Sequence, residues 1–410
     1  MVQEVTQRRR GRILTVVAAT ACMSGRADSE TPHAILTDSA LPVLGQTVEV
    51  SDKRSDGPLL PGSIKWEGTI FAPQGAGFVR VHVFFRGASR GGWSIDVFDA
   101  TDARADEFRW QDLTPNGTGR AAWSKRIPGS TARVRLVSAT ALPNIVVGID
   151  KYIYDFRTPA IENFIGGHDD REDLVTAYGK EHPYYRWGRP VAELTFVSAQ
   201  SQKETNCTAF LVAPTLLLTN AHCISQTWQV RTAAAVFGFE TDSTDAVSVP
   251  LSALLLTSRE LDFSLMRITR QVPTFGTVNI GATPVDNQQL VLIQQPNGGH
   301  KLIAVRKCRV QSAIAPGISG RRNTDFFHLC DTEGGSSGSP VMDAATGAVV
   351  GLHQAGVWDP KAGDYHNLGV KITEIVQHMA KCDKTTCQEV GACQQALEQH
   401  TKGGATCAER

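Results

Sequence analysis

Apolar and polar residues alternate with period two along much of this chain, in short runs that end at Gly, Asn or Pro. Phe78-Val-Arg-Val-His-Val-Phe-Phe85, Trp93-Ser-Ile-Asp-Val-Phe98, Thr131-Ala-Arg-Val-Arg-Leu-Val137 and Ile145-Val-Val-Gly-Ile-Asp-Lys-Tyr152 are such runs. Side chains of an extended chain point alternately to opposite faces, so this pattern predicts strands with one buried face. Their crowding between residues 60 and 157 predicts a small β-sandwich. From about residue 187 strand candidates resume, several of them continuous apolar runs: Val191-Ala-Glu-Leu-Thr-Phe-Val197, Thr208-Ala-Phe-Leu-Val212, Leu216-Leu-Leu-Thr219, Leu265-Met-Arg-Ile268, Leu290-Val-Leu-Ile293 and Val349-Val-Gly-Leu-His353. This long series of short strands suits one barrel or a pair of barrels. A helix is expected over Ile372-Thr-Glu-Ile-Val-Gln-His-Met379.

Composition excludes several classes. Lys+Arg and Asp+Glu both number 41, so the chain has no overall pull on nucleic acid, and no nucleic-acid partner is expected. Hydrophobic residues make up 41% and charged residues 20%, a globular balance that argues against wholesale disorder. The 410 residues imply two or three domains at roughly 100–200 residues each.

The first residues read as an export signal over 1–22. Arg8, Arg9, Arg10 and Arg12 precede the short apolar run Ile13-Leu-Thr-Val-Val-Ala-Ala-Thr-Ala21. That run is far shorter than the ~20 residues of a membrane helix. Cys22 follows at once, where a bacterial lipoprotein carries its lipidated Cys, and the segment resembles such a lipobox. Ala19 stands in place of the usual Leu, so ordinary cleavage after Ala21 is the alternative. The chain is expected to be exported, either secreted or held at the cell surface or outer membrane by a lipid anchor. The other eight cysteines all lie in the C-terminal half, which in an exported chain reads as four disulfides.

Residues 23–59 are Ser/Asp/Pro-rich and read as a flexible tether, and 158–186 as a linker. Inside that linker Asp169-Asp-Arg-Glu-Asp173, beside His168, has the composition of a cation site but reads better as a solvated stretch. Residues 381–410 hold Cys382, Cys387, Cys393 and Cys407 and a helical stretch from Gln388 to Gln399. So short a piece needs staples to fold, and its four cysteines allow three connectivities.

Two segments carry chemistry. Thr219-Asn-Ala-His-Cys223 follows an apolar strand, with Cys207 lying 16 residues before Cys223. Glu333-Gly-Gly-Ser-Ser-Gly-Ser-Pro340 is a Gly/Ser loop leading into another strand. Between them Glu260-Leu-Asp-Phe-Ser-Leu-Met-Arg-Ile268 embeds one carboxylate, Asp262, in an apolar segment, whose Leu261 and Phe263 are expected to keep it dry. A serine hydroxyl is a poor nucleophile at its own pKa and needs an adjacent base. His222 is the candidate base for Ser337, and Asp262 the carboxylate that fixes its tautomer.

In this order and combination, residues 187–380 resemble the chymotrypsin-like serine proteases. The likeness is closer to bacterial secreted members such as the glutamyl and lysyl endopeptidases, which also carry Gly-Ser-Pro after the nucleophile, as in Gly338-Ser-Pro340. The resemblance implies a mainly β fold: two six-stranded antiparallel β-barrels with the site between them. The β-sandwich precedes them as an N-terminal accessory domain, and the disulfide-stapled tail follows. It implies an oxyanion hole from the backbone N–H groups of Gly335 and Ser337. It also implies the disulfides Cys207–Cys223 and Cys308–Cys330. No cofactor and no metal are called for, and the partners implied are protein or peptide substrates, cut by a monomer.

The same resemblance places the substrate pocket at Asp331, Thr332 and His353. Asp331 stands where trypsin carries its pocket acid, which favours Lys or Arg. Thr332 and His353 resemble the Thr and His with which glutamyl endopeptidases grip an acidic side chain, through a His cation and a hydroxyl. Glu/Asp is the first expectation and Lys/Arg the alternative. Digestive members carry an Asp just before the nucleophile, which pairs with a newly cut N-terminal amine; here Ser336 occupies that position, so that ion pair cannot be the switch. Trp66, Phe84, Phe85 and Trp93 of the sandwich are candidates for a binding face, weighed against burial in its core. A different class of function is a non-catalytic surface binding protein that uses the protease fold as scaffold.

Overall fold

The computed structural model describes residues 34–35, 42–55, 63–88, 90–116, 119–142, 144–155, 162–163, 168–240, 246–317, 320, 323–359 and 364–381. The export signal, Cys22, most of the tether and the tail cysteines Cys382, Cys387, Cys393 and Cys407 lie outside the described residues.

Within the sandwich, one sheet runs Val43–Arg54, Val146–Asp155, Phe78–Arg86, Gly119–Trp123, Thr114–Asn116. The facing sheet runs Ile64–Phe71, Thr131–Ser138, Trp93–Phe98, Arg104–Phe108. Strand Phe78–Arg86 shows how the alternation works. Val79, Val81, Val83 and Phe85 are fully buried and face the opposite sheet's Ile95, Val97, Val134 and Leu136. Each such side chain contributes about 1.5–3 kcal/mol on burial. Trp66, Phe85 and Trp93 belong to this core, with Phe85 stacked on Trp93 at 4.3 Å, so they form no binding face.

Residues Val43–Arg54, read from the sequence as tether, form a strand of this sheet. It pairs with Val146–Asp155 on one side and continues the sheet into the first barrel on the other, where Gly45 lies opposite Glu204 and Val43 opposite Thr205. The result is one 12-stranded sheet shared by the sandwich and the barrel.

The first barrel is a closed antiparallel circuit of six strands: Val191–Val197, Glu204–Ala213, Leu216–Thr219, Phe263–Ile268, Val247–Ser258, Ala234–Phe237 and back to the first. Leu194, Phe196, Leu217, Phe237, Val249 and Met266 fill it. The second runs Leu290–Gln294, Pro340–Asp343, Val349–Asp359, Asp364–Lys371, Asp325–His328, Val310–Ala315, and the Gln289–Arg309 bridge brings its ends together. Leu302–Ala304 folds back on Leu290–Gln294, and Arg171–Asp173 adds beyond it.

A third apolar cluster lies between the barrels and includes Phe210, Leu218 and Phe263 from the first and Val291, Met342 and Leu352 from the second. The helix Ile372–Ala380 closes it with Ile372, Ile375 and Met379. Loops from both barrels therefore meet over a packed, rigid floor.

Candidate active site

The His loop hangs from Leu216–Thr219. Thr219 Oγ1 donates to the Thr208 carbonyl at 2.7 Å, and Asn220 Nδ2 donates to the Asp262 carbonyl at 2.9 Å. His222 is thereby held against Asp262 by two bonds. Its backbone N–H donates to Asp262 Oδ1 at 2.9 Å, and its ring Nδ1 lies 2.8 Å from Oδ2. A carboxylate there fixes Nδ1 as the protonated nitrogen and makes Nε2 the candidate base. Asp262 turns between two strands at φ 48°, flanked by the buried Leu261 and Phe263, and is itself 4% exposed. The apolar neighbours expected to keep it dry do so.

The Ser loop is a tight turn between Thr332–Glu333 and Pro340–Asp343. Ser336 N–H donates to the Glu333 carbonyl, and Ser336 Oγ donates to Gln294 Oε1. Gly335 and Gly338 sit at φ 95° and 87°, a region L side chains avoid. Among the described residues neither the Gly335 nor the Ser337 N–H has a protein acceptor. Two unspent donors on one turn are what a developing oxyanion needs. The first barrel pins this turn through Thr208: its N–H donates to the Ser337 carbonyl at 2.8 Å and its Oγ1 to the Gly335 carbonyl at 2.9 Å. Ser337 Oγ donates to the Gln354 carbonyl at 3.2 Å, and Gln354 Nε2 donates to the Leu261 carbonyl at 3.1 Å beside Asp262.

Cys207–Cys223 and Cys308–Cys330 are both bonded in the structure. The first also explains a cluster of metal-binding type. Cys207, Cys223 and His222 lie together, but the two sulfurs are spent on each other.

The three residues expected to line the pocket are each bonded to another part of the chain. Thr332 Oγ1 donates to Asn367 Oδ1 at 3.1 Å, and Asn367 Nδ2 donates to the Cys330 carbonyl. His353 is 2% exposed, and its Nδ1 lies 3.2 Å from His328 Nε2. Burial, with His222 nearby, pulls the His353 pKa down to about 3, and burial beside His353 pulls that of His328 well below the usual range. His353 is thus neutral near pH 7, not the cation expected from the sequence, because two imidazoles packed away from water cannot hold charge. Asp331 is buried, and its Oδ2 accepts the Asp170 backbone N–H at 2.7 Å.

Sequence reading missed Thr208, Asn220, Gln354, His328 and the Asp170–Arg171 contact. Each acts through a partner distant in the chain, so even where the residue stands in a segment singled out from the sequence, as Asn220, Asp170 and Arg171 do, its bond leaves no local mark.

Residues 207–352 match the family model of the trypsin-like peptidase domain. An uncharacterized protein, y4fB, of Sinorhizobium fredii is 28% identical over 198 residues, 44% of this chain. Secreted RxLR effector protein 73 of Plasmopara viticola is 26% identical over 167 residues, 37% of this chain. The matches span 28% and 41% of the lengths of those two relatives. Among solved structures, a Glu endopeptidase in complex with MPD superposes with a TM-score of 0.40 at 18% identity, covering 56% of this chain and 98% of that one.

Proposed function

We propose that the chain is an exported serine endopeptidase that hydrolyses protein or peptide substrates through His222, Asp262 and Ser337. The observation that carries this is the His222–Asp262 pair, joined through Thr208 and Gln354 to a turn with two unspent N–H donors at the candidate nucleophile. The two barrel disulfides support export, since such bonds persist in oxidising compartments.

In this reading Ser337 Oγ leaves the Gln354 carbonyl and turns to His222 Nε2. It attacks the scissile carbonyl carbon as its proton passes to the imidazole. The carbonyl π pair moves to oxygen, which accepts the Gly335 and Ser337 N–H groups. Collapse expels the amine, which takes the proton from His222 and leaves an acyl-enzyme. Water repeats the sequence and releases the acid. Asp262 stays ionised and steadies the imidazolium.

For the cleaved residue the reading is Glu or Asp first. Thr332 and the neutral imidazole of His353 offer hydrogen-bonding groups, and a substrate carboxylate would supply the negative charge that favours protonating His353. Lys or Arg is the second reading, since a carboxylate, Asp331, belongs to the same pocket. Lipid attachment at Cys22 is part of the proposal and is read by the mass of the mature N-terminal peptide.

A fluorophosphonate probe tests the core claim. Labelling of Ser337 in the wild type, with label and peptidase activity lost in Ser337→Ala, is the expected result. A folded chain that takes no label at Ser337 is the scaffold of a binding protein instead.

A further inference from the structure

Ser336 removes the acid that would order this loop through a new N-terminal amine, and beside the Thr208 and Gln294 bonds a further element holds it. The segment leading into the first barrel is laid against the loop. Glu162 and Asn163 pair antiparallel with Glu333 and Thr332. Further on, Asp170 N–H donates to Asp331 Oδ2 at 2.7 Å, and Arg171 Nη1 donates to Glu333 Oε2 at 2.8 Å. The Arg171 side chain is 4% exposed and is also gripped by Asp169, so the backbone carrying the Asp170 N–H is fixed from its far side. The Asp170 carboxylate draws Lys307 Nζ to 2.8 Å, and Asp331 adds to the field that favours the Lys307 charge.

We infer that the Asp170 N–H, on a backbone anchored by Arg171, masks Asp331, so that the pocket lacks the open carboxylate that would select a Lys or Arg side chain. This rests on reading Asp331 as part of the substrate pocket. A carboxylate withdrawn from water needs donors, and the Asp170 N–H supplies a charge-assisted bond. A substrate cation would have to displace that bond in the presence of a resident cation, Lys307. The linker therefore sets which charge the pocket prefers.

Two substitutions at one position isolate the contact. Asp170→Pro deletes the N–H, Asp170→Ala keeps it, and both release Lys307. The probe is benzamidine, an aryl amidinium, titrated calorimetrically into the full chain. Asp170→Pro is expected to bind it about tenfold or more tightly than Asp170→Ala, the scale of one charge-assisted hydrogen bond. Its ratio of kcat/KM for Lys over Glu substrates should rise in step. Equal affinity in the two variants overturns the inference. If Asp170→Pro does not fold, Asp331→Asn in the wild type decides. A masked carboxylate predicts benzamidine affinity within about twofold of wild type, whereas a loss of about tenfold or more means Asp331 is open. Binding needs no turnover, so a chain without peptidase activity defeats the proposed reaction and still returns an answer here.

Discussion

Arg80 of the sandwich and Glu204 of the first barrel meet with both side chains fully withdrawn from solvent, Nε to Oε2 at 2.5 Å and Nη2 to Oε1 at 3.0 Å. Arg80 points to the outer face of Phe78–Arg86, opposite Val79 and Val81, where an isolated sandwich would meet water. The barrel covers that face instead. Arg80 Nη1 donates to the Ser124 carbonyl, and Arg126 Nε reaches Glu204 Oε1 from the side. With the shared sheet, this pair makes the sandwich a part of the barrel's fold rather than an appended module.

Removing one partner of such a pair leaves an uncompensated buried charge. Glu204→Leu, which leaves the buried Arg80 without its counter-charge, is expected to cost about 3–5 kcal/mol of stability, and Glu204→Leu with Arg80→Met to recover much of it. Urea unfolding followed by fluorescence and by circular dichroism checks both points. One shared transition is expected in the wild type, and separate transitions for sandwich and barrel would contradict the seam described here.

Asp262→Asn keeps an acceptor for the His222 backbone N–H but can present an N–H to the ring. The imidazole then adopts the wrong tautomer, with its proton on the nitrogen that should act as base. We expect kcat to fall by about 10⁴ with the fold intact. Steady-state kinetics beside a thermal melt measure this, and a loss under tenfold would remove Asp262 from the mechanism.

Much of the site was legible because its residues carry their own local signals. His222 and Ser337 sit in loops marked by their Cys, Gly and Ser neighbours, and Asp262 sits in a conspicuously apolar run. The strands with clean alternation also formed as read. Val43–Arg54 was missed because its partners lie about 100–160 residues away, at Val146–Asp155 and Glu204–Thr205, and strand pairing of that range leaves no local mark. His353 was singled out by position, and the cation expected there is at odds with its burial. Neutrality comes from burial against His328, which the segment around His353 does not reveal.

The two buried histidines make stability depend on pH. In the unfolded chain His353 titrates near 6.5, and in the folded chain near 3. Between those values the unfolded state binds the extra proton, so stability falls as pH drops from about 6.5, and levels off once the folded form also protonates. The slope for one such group is about 1.4 kcal/mol per pH unit. Urea midpoints between pH 4 and 7 should show it, and His353→Gln should flatten it. A slope unchanged in that variant would mean His353 is not the group responsible.

Thr208 links the first barrel to the oxyanion turn through one hydroxyl. Its Oγ1 donates to the Gly335 carbonyl and accepts the Gln295 N–H, both at 2.9 Å, in a fully buried setting. Thr208→Val keeps shape and volume while leaving one carbonyl and one N–H without partners, at about 1–3 kcal/mol for each group. The Gly335 carbonyl lies across the α-carbon from the Gly335 N–H, one of the two oxyanion donors, so Thr208 steadies that N–H through the residue it sits on, and at φ 95° no side chain limits rotation there. The loss should therefore fall on the transition state, where the oxyanion is, more than on substrate binding. We expect kcat to drop about ten- to a hundredfold with KM changed less than about threefold. A modest fall in melting temperature should accompany it. If KM rises while kcat holds, Thr208 supports the substrate pocket and the oxyanion turn stands without it.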